Sequence, residues 1–148
     1  MGTPVILVGV DGSAPSRAAL RWALQESKRR GATVEALLAH QHEPVFVPAT
    51  SMALHPYGER PQRHPAEDLH AAVEQARATV PDAPGVTETV VAGNAAHELA
   101  EASRRAELLV VGTRGWGAVP QALLGSVAAR CLRHAECPVV IIPPRAVR

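Results

Sequence analysis

Lysine is nearly missing from this chain of 148 residues: 14 of its 15 basic residues are arginine, and Lys28 stands alone. No lysine follows any glycine-rich loop, so a phosphate loop of the G-x-x-x-x-G-K-[ST] type is excluded. Aromatic residues are scarce as well, with one Phe, one Tyr and two Trp. A chain that is 47% hydrophobic must then build its core from Val, Leu, Ile and Ala. The two cysteines, Cys131 and Cys137, are too few for a disulfide framework, and reduced cytoplasmic thiols are the expectation. A formal net charge of +1 offers no electrostatic footprint for nucleic acid. No apolar run approaches the roughly 18 residues of a membrane span, and no charged segment precedes the first apolar one, so neither a membrane helix nor a secretion signal is expected. The length suits a single domain, residues 1–148, able to bury roughly 68–70% of its unfolded surface.

What remains is an alternation of two periodicities. Val5 to Val10 is a near-continuous apolar run of the kind found in central parallel strands. Asp11-Gly12-Ser13 turns the chain, with Ser13 placed to cap a helix and Pro15 tolerated in its first turn. Ala18, Ala19, Trp22 and Ala23 recur at helical spacing until Gly31. Thr33 to His40 reads as a second strand. Leu69, Ala72, Val73, Ala76 and Val80 form the stripe of a second helix, and Val86 to Val91 a third strand. Asn94 caps a third helix running to about Arg105. Leu108 to Val111 is a fourth strand, Ser126 to His134 a fourth helix, and Val139 to Ile142 a last strand. Strands alternating with helices imply a parallel sheet with helices on both faces. Residues 43–66 break the pattern: they contain five prolines and show no period, and they are read as a long, mobile loop rather than an ordered lid.

The fourth strand runs into Gly112-Thr113-Arg114-Gly115, and Gly125-Ser126 opens the helix beyond it. Strand, glycine-rich loop and helix N-terminus form an arrangement suited to phosphates, because glycine lets backbone approach the anion and the first turn's N–H groups face it. The spacing Gly-x2-Gly-x9-Gly-Ser, together with Val8-Gly9-Val10-Asp11-Gly12-Ser13 and Cys137-Pro138-Val139-Val140, resembles the ATP-binding branch of the universal stress protein family. The resemblance covers the chain outside residues 43–66. It implies an open, Rossmann-like five-stranded parallel sheet of the adenine nucleotide alpha hydrolase type, in the strand order 3-2-1-4-5.

That order puts the ends of strands one and four at the topological switch point, where open parallel sheets bind ligands. Asp11 and the glycine loop, distant in sequence, would meet there. Gly115, Gly125 and Ser126 form the expected phosphate end, with the N–H groups of Gly125 through Val127 facing the anion, and Val111, Gly112 and Thr113 are counted with them among the nucleotide-binding residues. Arg114 is either a phosphate partner or a solvated loop charge, and Trp116 is read as packing. Asp11 is assigned to ribose hydroxyls or an adenine amino group. Gly9 is assigned to close approach of neighbouring backbone beside the crevice. The resemblance places the backbone of Gln41 against the adenine edge. His40 and His42 sit at i and i+2 without a third ligand, so no metal site is assigned. His97 and His134 are read as surface or capping residues, and Cys131 as a small core residue.

Neither cysteine has a base and acid arranged beside it, and no nucleophile-elbow serine is present. The expected activity is binding: a cytoplasmic, nucleotide-responsive regulator that takes ATP with Mg²⁺ and hydrolyses it slowly if at all. A slow ATP hydrolase or nucleotidyl transferase on the same scaffold is the competing class, disfavoured by the missing lysine and by the lack of a general base near Ser126. A homodimer is expected through strand 139–142, an apolar, β-branched strand at a sheet edge, with Val140 taken to carry an edge donor.

Overall fold

The computed structural model describes residues 2–41, 64–113 and 124–143. Its elements run β1 (Val5–Gly9), α1 (Ala14–Arg30), β2 (Thr33–His40), α2 (Pro65–Thr79), β3 (Val86–Ala92), α3 (Ala95–Ala102), β4 (Leu108–Gly112), α4 (Ser126–His134) and β5 (Val139–Ile142). The strands form one parallel sheet in the order β3-β2-β1-β4-β5. The expected topology is the observed one.

Local chemistry sets the helix ends. The Ser13 hydroxyl accepts from the Ser16 N–H at 3.3 Å to cap α1, and Gly31 closes it at φ 66°, a conformation costly for any residue with a Cβ. Asn94 Oδ1 accepts from the His97 N–H and caps α3. The α-helical part of α3 stops at Ala102 rather than Arg105, and residues Ser103–Arg105 tighten into a 3-10 turn. Buried Ser103 accounts for this: its hydroxyl donates to Ala100 O at 2.6 Å and accepts the Glu136 N–H at 2.9 Å. Helix α2 begins at Pro65, so Pro65 and Ala66 belong to it and not to the long loop. Proline is suited to a first helical position, where its missing N–H has no partner to lose. The rest of the proposed loop, residues 43–63, lies outside the described residues apart from this boundary.

Each face of the sheet carries its own core. Helices α1 and α2 cover one face through Val8, Val10, Leu20, Leu24, Leu69, Val73 and their neighbours. Helices α3 and α4 cover the other through Leu7, Leu37, Leu99, Leu109, Val111 and Cys131. Aliphatic residues fill both, as the scarcity of aromatics requires. Among the described residues one charge is buried with them. Glu35 of β2 is 8% exposed, and its carboxylate accepts from Arg105 Nη2 at 2.8 and 3.0 Å and from Thr89 Oγ1 at 2.8 Å. The pair ties the turn after α3 to the middle of the sheet, and nothing in the periodicity announced it. Among the described residues no helix is long and apolar enough to cross a membrane.

Candidate functional site

β1 and β4 lie side by side, with Ile6, Leu7 and Val8 in register with Leu108, Leu109 and Val110. From β1 the chain leaves into α1 on one face, and the helix that follows β4 lies on the other. The crest between them is the switch point. Asp11 stands just beyond β1 and Thr113 just beyond β4, so the structure brings these two predicted residues together at the same end of adjacent strands.

Asp11 is held firmly on one side only. Its Oδ1 accepts from the Ser13 N–H at 2.9 Å and the Ser13 hydroxyl at 2.5 Å, an Asx turn that aims the carboxylate. The Asp11 N–H in turn donates to the Ser16 hydroxyl at 3.3 Å. Its Oδ2 is buried with no hydrogen-bond partner among the described residues, and so is the hydroxyl oxygen of Thr113. Buried polar atoms without partners are uncommon in folded proteins and costly. Two of them flank one crest.

The glycines divide into two kinds. Gly112 is the last residue of β4, and a Cβ there would meet Pro15 Cβ at 2.7 Å and the Pro15 carbonyl carbon at 3.0 Å. Its bare Cα lets the start of α1 pack on β4. Gly9 is likewise a packing position: a Cβ would meet Leu99 Cδ1 at 2.8 Å, a side chain of α3 rather than neighbouring backbone. Gly125 differs. It is the N-cap of α4 at φ −65° and ψ 161°, dihedrals open to any residue, so its own conformation does not demand glycine. Its N–H donates to Thr113 O, which removes it from the expected anion-facing set. The first backbone bond of α4 runs from Ala129 N–H to Gly125 O, so the N–H groups of Ser126, Val127 and Ala128 precede the intrahelical ladder. Ser126 is therefore the first residue of the helix and not its cap. Val111 is fully buried in the α3–α4 core, while Arg114, Gly115 and Trp116 lie outside the described residues.

Among the described residues, two cavities at this end of the sheet bear on the site. One, of about 310 Å³, is lined by Ala39, Gln41, Gly93, Asn94, Ala95, Ser126 and Val127. It joins the predicted adenine-edge residue to the start of α4 and adds the start of α3. The second, of about 300 Å³, is lined by Asp11, Gly12, Arg17, Leu38, Asp68 and the α2 residues Ala71, Ala72 and Gln75. Arg17, Asp68, Gln75, Gly93 and Asn94 are absent from the sequence-derived set. Only the helical spacing of Asp68, Ala71, Ala72 and Gln75 could have flagged the α2 face. A larger cleft of about 440 Å³ between α3 and α4 contains none of the predicted residues, and its Arg104 is already paired with Glu101 and Glu136.

Thiol chemistry is not supported. Burial pushes the Cys131 thiol up to about 11, and burial also raises Cys137, so both stay protonated at neutral pH. Among the described residues no three His, Cys, Asp or Glu side chains cluster to hold a metal ion. His97 and His134 are exposed, as expected, and His42 lies outside the described residues.

Known proteins share this architecture. The sequence profile of the Universal stress protein family matches residues 3–143. A universal stress protein of Mycolicibacterium smegmatis is 38% identical over 143 residues, covering 93% of this chain and 47% of that protein. The chain thus spans about half the length of the curated relatives it matches. Among solved structures, a universal stress protein in complex with cAMP is 28% identical, with a TM-score of 0.65 over 96% of this chain and 98% of its own. One from Archaeoglobus fulgidus in complex with dAMP shares the fold at 20% identity, with a TM-score of 0.66 over 95% of this chain and 98% of its own. This chain belongs to the universal stress protein family.

Proposed function

We propose that this domain binds an adenine nucleotide, ATP with Mg²⁺, across the crest between β1 and β4, and that occupancy rather than turnover is its output. The observation that carries the reading is the pair of buried oxygens without a partner among the described residues, Asp11 Oδ2 and Thr113 Oγ1, just beyond the adjacent strands β1 and β4. The cavity at the starts of α3 and α4 has no charged lining side chain among the described residues and receives the positive ends of two helices, which suits phosphate; Gln41 lines this same cavity, so its assignment to the adenine edge is not carried into this reading. The cAMP and dAMP complexes of the related proteins support an adenine ligand. Mg²⁺ would be held mainly by phosphate oxygens and water, as is usual for this ion with nucleotides.

In this reading the protein is a cytoplasmic, nucleotide-responsive stress regulator that acts through a dimer or partner surface. β5 supplies the dimer edge. Leu109 N–H donates to Pro138 O and Thr113 N–H to Ile142 O, so the even-numbered residues face β4. Alternation along a strand then turns Val139 and Ile141 outward, and the edge donors are theirs and not Val140's.

Chromatography of the nucleotide released on denaturing the purified protein tests the ligand. Near-stoichiometric adenine nucleotide is expected, and turnover above about 1 s⁻¹ would favour an enzyme instead. Light scattering tests the assembly: a mass near the 15.6 kDa chain refutes the dimer. Ile141→Pro, which removes an outward donor, should shift the dimer toward monomer.

A further inference from the structure

The cleft between α3 and α4 stands apart from the crest and has a charge pattern of its own. Both helices follow strands of a parallel sheet, so they run the same way, and two pins hold them level. Their first residues, Ala95 and Ser126, line one cavity, and at the far end the Ser103 hydroxyl accepts the Glu136 N–H at 2.9 Å. Arg130 stands four residues into α4 and Glu101 six residues into α3. At 1.5 Å per residue they differ by only about 3 Å along the helix direction. Both line the cleft, one from each wall.

The charges in the cleft are unevenly engaged. Arg104 serves two carboxylates, Glu101 at 3.7 Å and Glu136 at 3.2 Å, and those three groups keep one net negative charge. A separation of 3.7 Å is too long for a hydrogen bond, so the Glu101 carboxylate keeps its acceptors. Arg130 makes no ion pair or hydrogen bond through its side chain among the described residues, with Glu101 or any other. The rings of His97 and His134 line the same cleft and likewise have no partner among the described residues. With neutral histidines the two arginines and two glutamates cancel, so the lining favours neither a bare anion nor a bare cation.

An unengaged guanidinium opposite a carboxylate with free acceptors is matched by a group carrying both charges. A guanidinium takes a carboxylate through two parallel N–H bonds, and an ammonium donates to a carboxylate. Ala96 and Ala100, one helical turn apart, give the cleft a small apolar floor, and its volume of about 440 Å³ lies within the usual range for small-molecule sites. We propose that the α3–α4 cleft is a second site, separate from the crest, for a small aliphatic α-amino acid. Arg130 receives the carboxylate, Glu101 the ammonium, and the alanine floor the side chain.

Titration of the isotope-labelled protein with L-leucine, followed by amide NMR shifts, tests this against two probes that each keep one charge, 4-methylpentanoate and 3-methylbutylamine. L-Leucine should shift the amides of Ala100, Glu101 and Arg130 saturably. It should bind at least about tenfold more tightly than either probe, the scale of one hydrogen bond to a charged group. Arg130 is exposed and has no side-chain bond to lose among the described residues, so Arg130→Gln should keep the melting temperature while weakening L-leucine about tenfold or more. Glu101→Gln should bring the ratio of L-leucine to 4-methylpentanoate affinity close to one. No saturable shift at the cleft, equal parental affinity for L-leucine and 4-methylpentanoate, parental L-leucine affinity in Arg130→Gln, or an unchanged ratio in Glu101→Gln each overturns the proposal.

Discussion

Asp11→Asn separates what the carboxylate does for the fold from what it does for a ligand. The asparagine oxygen can keep both bonds now made by Oδ1, to the Ser13 N–H and hydroxyl. The amide nitrogen replaces Oδ2, the oxygen without a partner among the described residues. Unliganded stability should therefore stay within about 1 kcal/mol of the parent, since no existing hydrogen bond is lost. Asp11→Ala deletes the Asx turn and should cost about 1–2 kcal/mol, or roughly 3–8 °C in melting temperature for a domain of this size. Both variants remove the free acceptor, so both should weaken AMP by about 1.5–3 kcal/mol, roughly 10- to 150-fold in Kd. Differential scanning calorimetry without ligand and titration calorimetry with AMP give the two readouts. Parental affinity in the Asn variant would refute the assignment of Oδ2 to the ligand. An Asn variant that melts as low as the Ala variant would refute the Asx-turn account.

Gly125→Asp should keep or slightly raise stability, because aspartate is a favoured N-cap, yet abolish nucleotide binding by placing a carboxylate at the phosphate end; AMP binding at parental strength excludes the α4 start from the site. Gly112→Ala should cost about 1–3 kcal/mol by forcing α1 away from β4, and more than Gly9→Ala, whose neighbour is a flexible Leu99 tip; equal melting temperatures for the two contradict the packing argument. Glu88 raises the pKa of His70 above its ordinary 6.5, through a hydrogen bond at 3.0 Å. The contribution is therefore complete below that value and is lost as pH rises through the higher folded pKa. Glu88→Gln should erase this part of the pH dependence of the melting temperature above the ordinary histidine pKa, and an unchanged profile rules it out.

Much of the architecture was legible because its signals are local. The bounds Thr33–His40, Ser126–His134 and Val139–Ile142 follow from periodicity and flanking turn residues, and caps such as Ser13 and Asn94 act within one turn of themselves. The strand order came from the family resemblance, and the sheet agrees with it. Asp11 and Thr113 were named as site residues from motifs alone. That each has an oxygen buried without a partner among the described residues is a tertiary fact. The roles of Gly112 and Gly9 depend on which helix crosses each strand. The Glu35–Arg105 pair joins residues 70 positions apart, and Asp68 reaches Asp11's cavity only because α2 packs beside α1. In the apolar run Val139–Ile142 every residue looks alike, so only the register against β4 decides which N–H groups face outward. Sequence determined the elements, because a cap or a stripe is satisfied by near neighbours. Tertiary structure decided what each residue does, because close approach, charge pairing and strand phase depend on partners far along the chain.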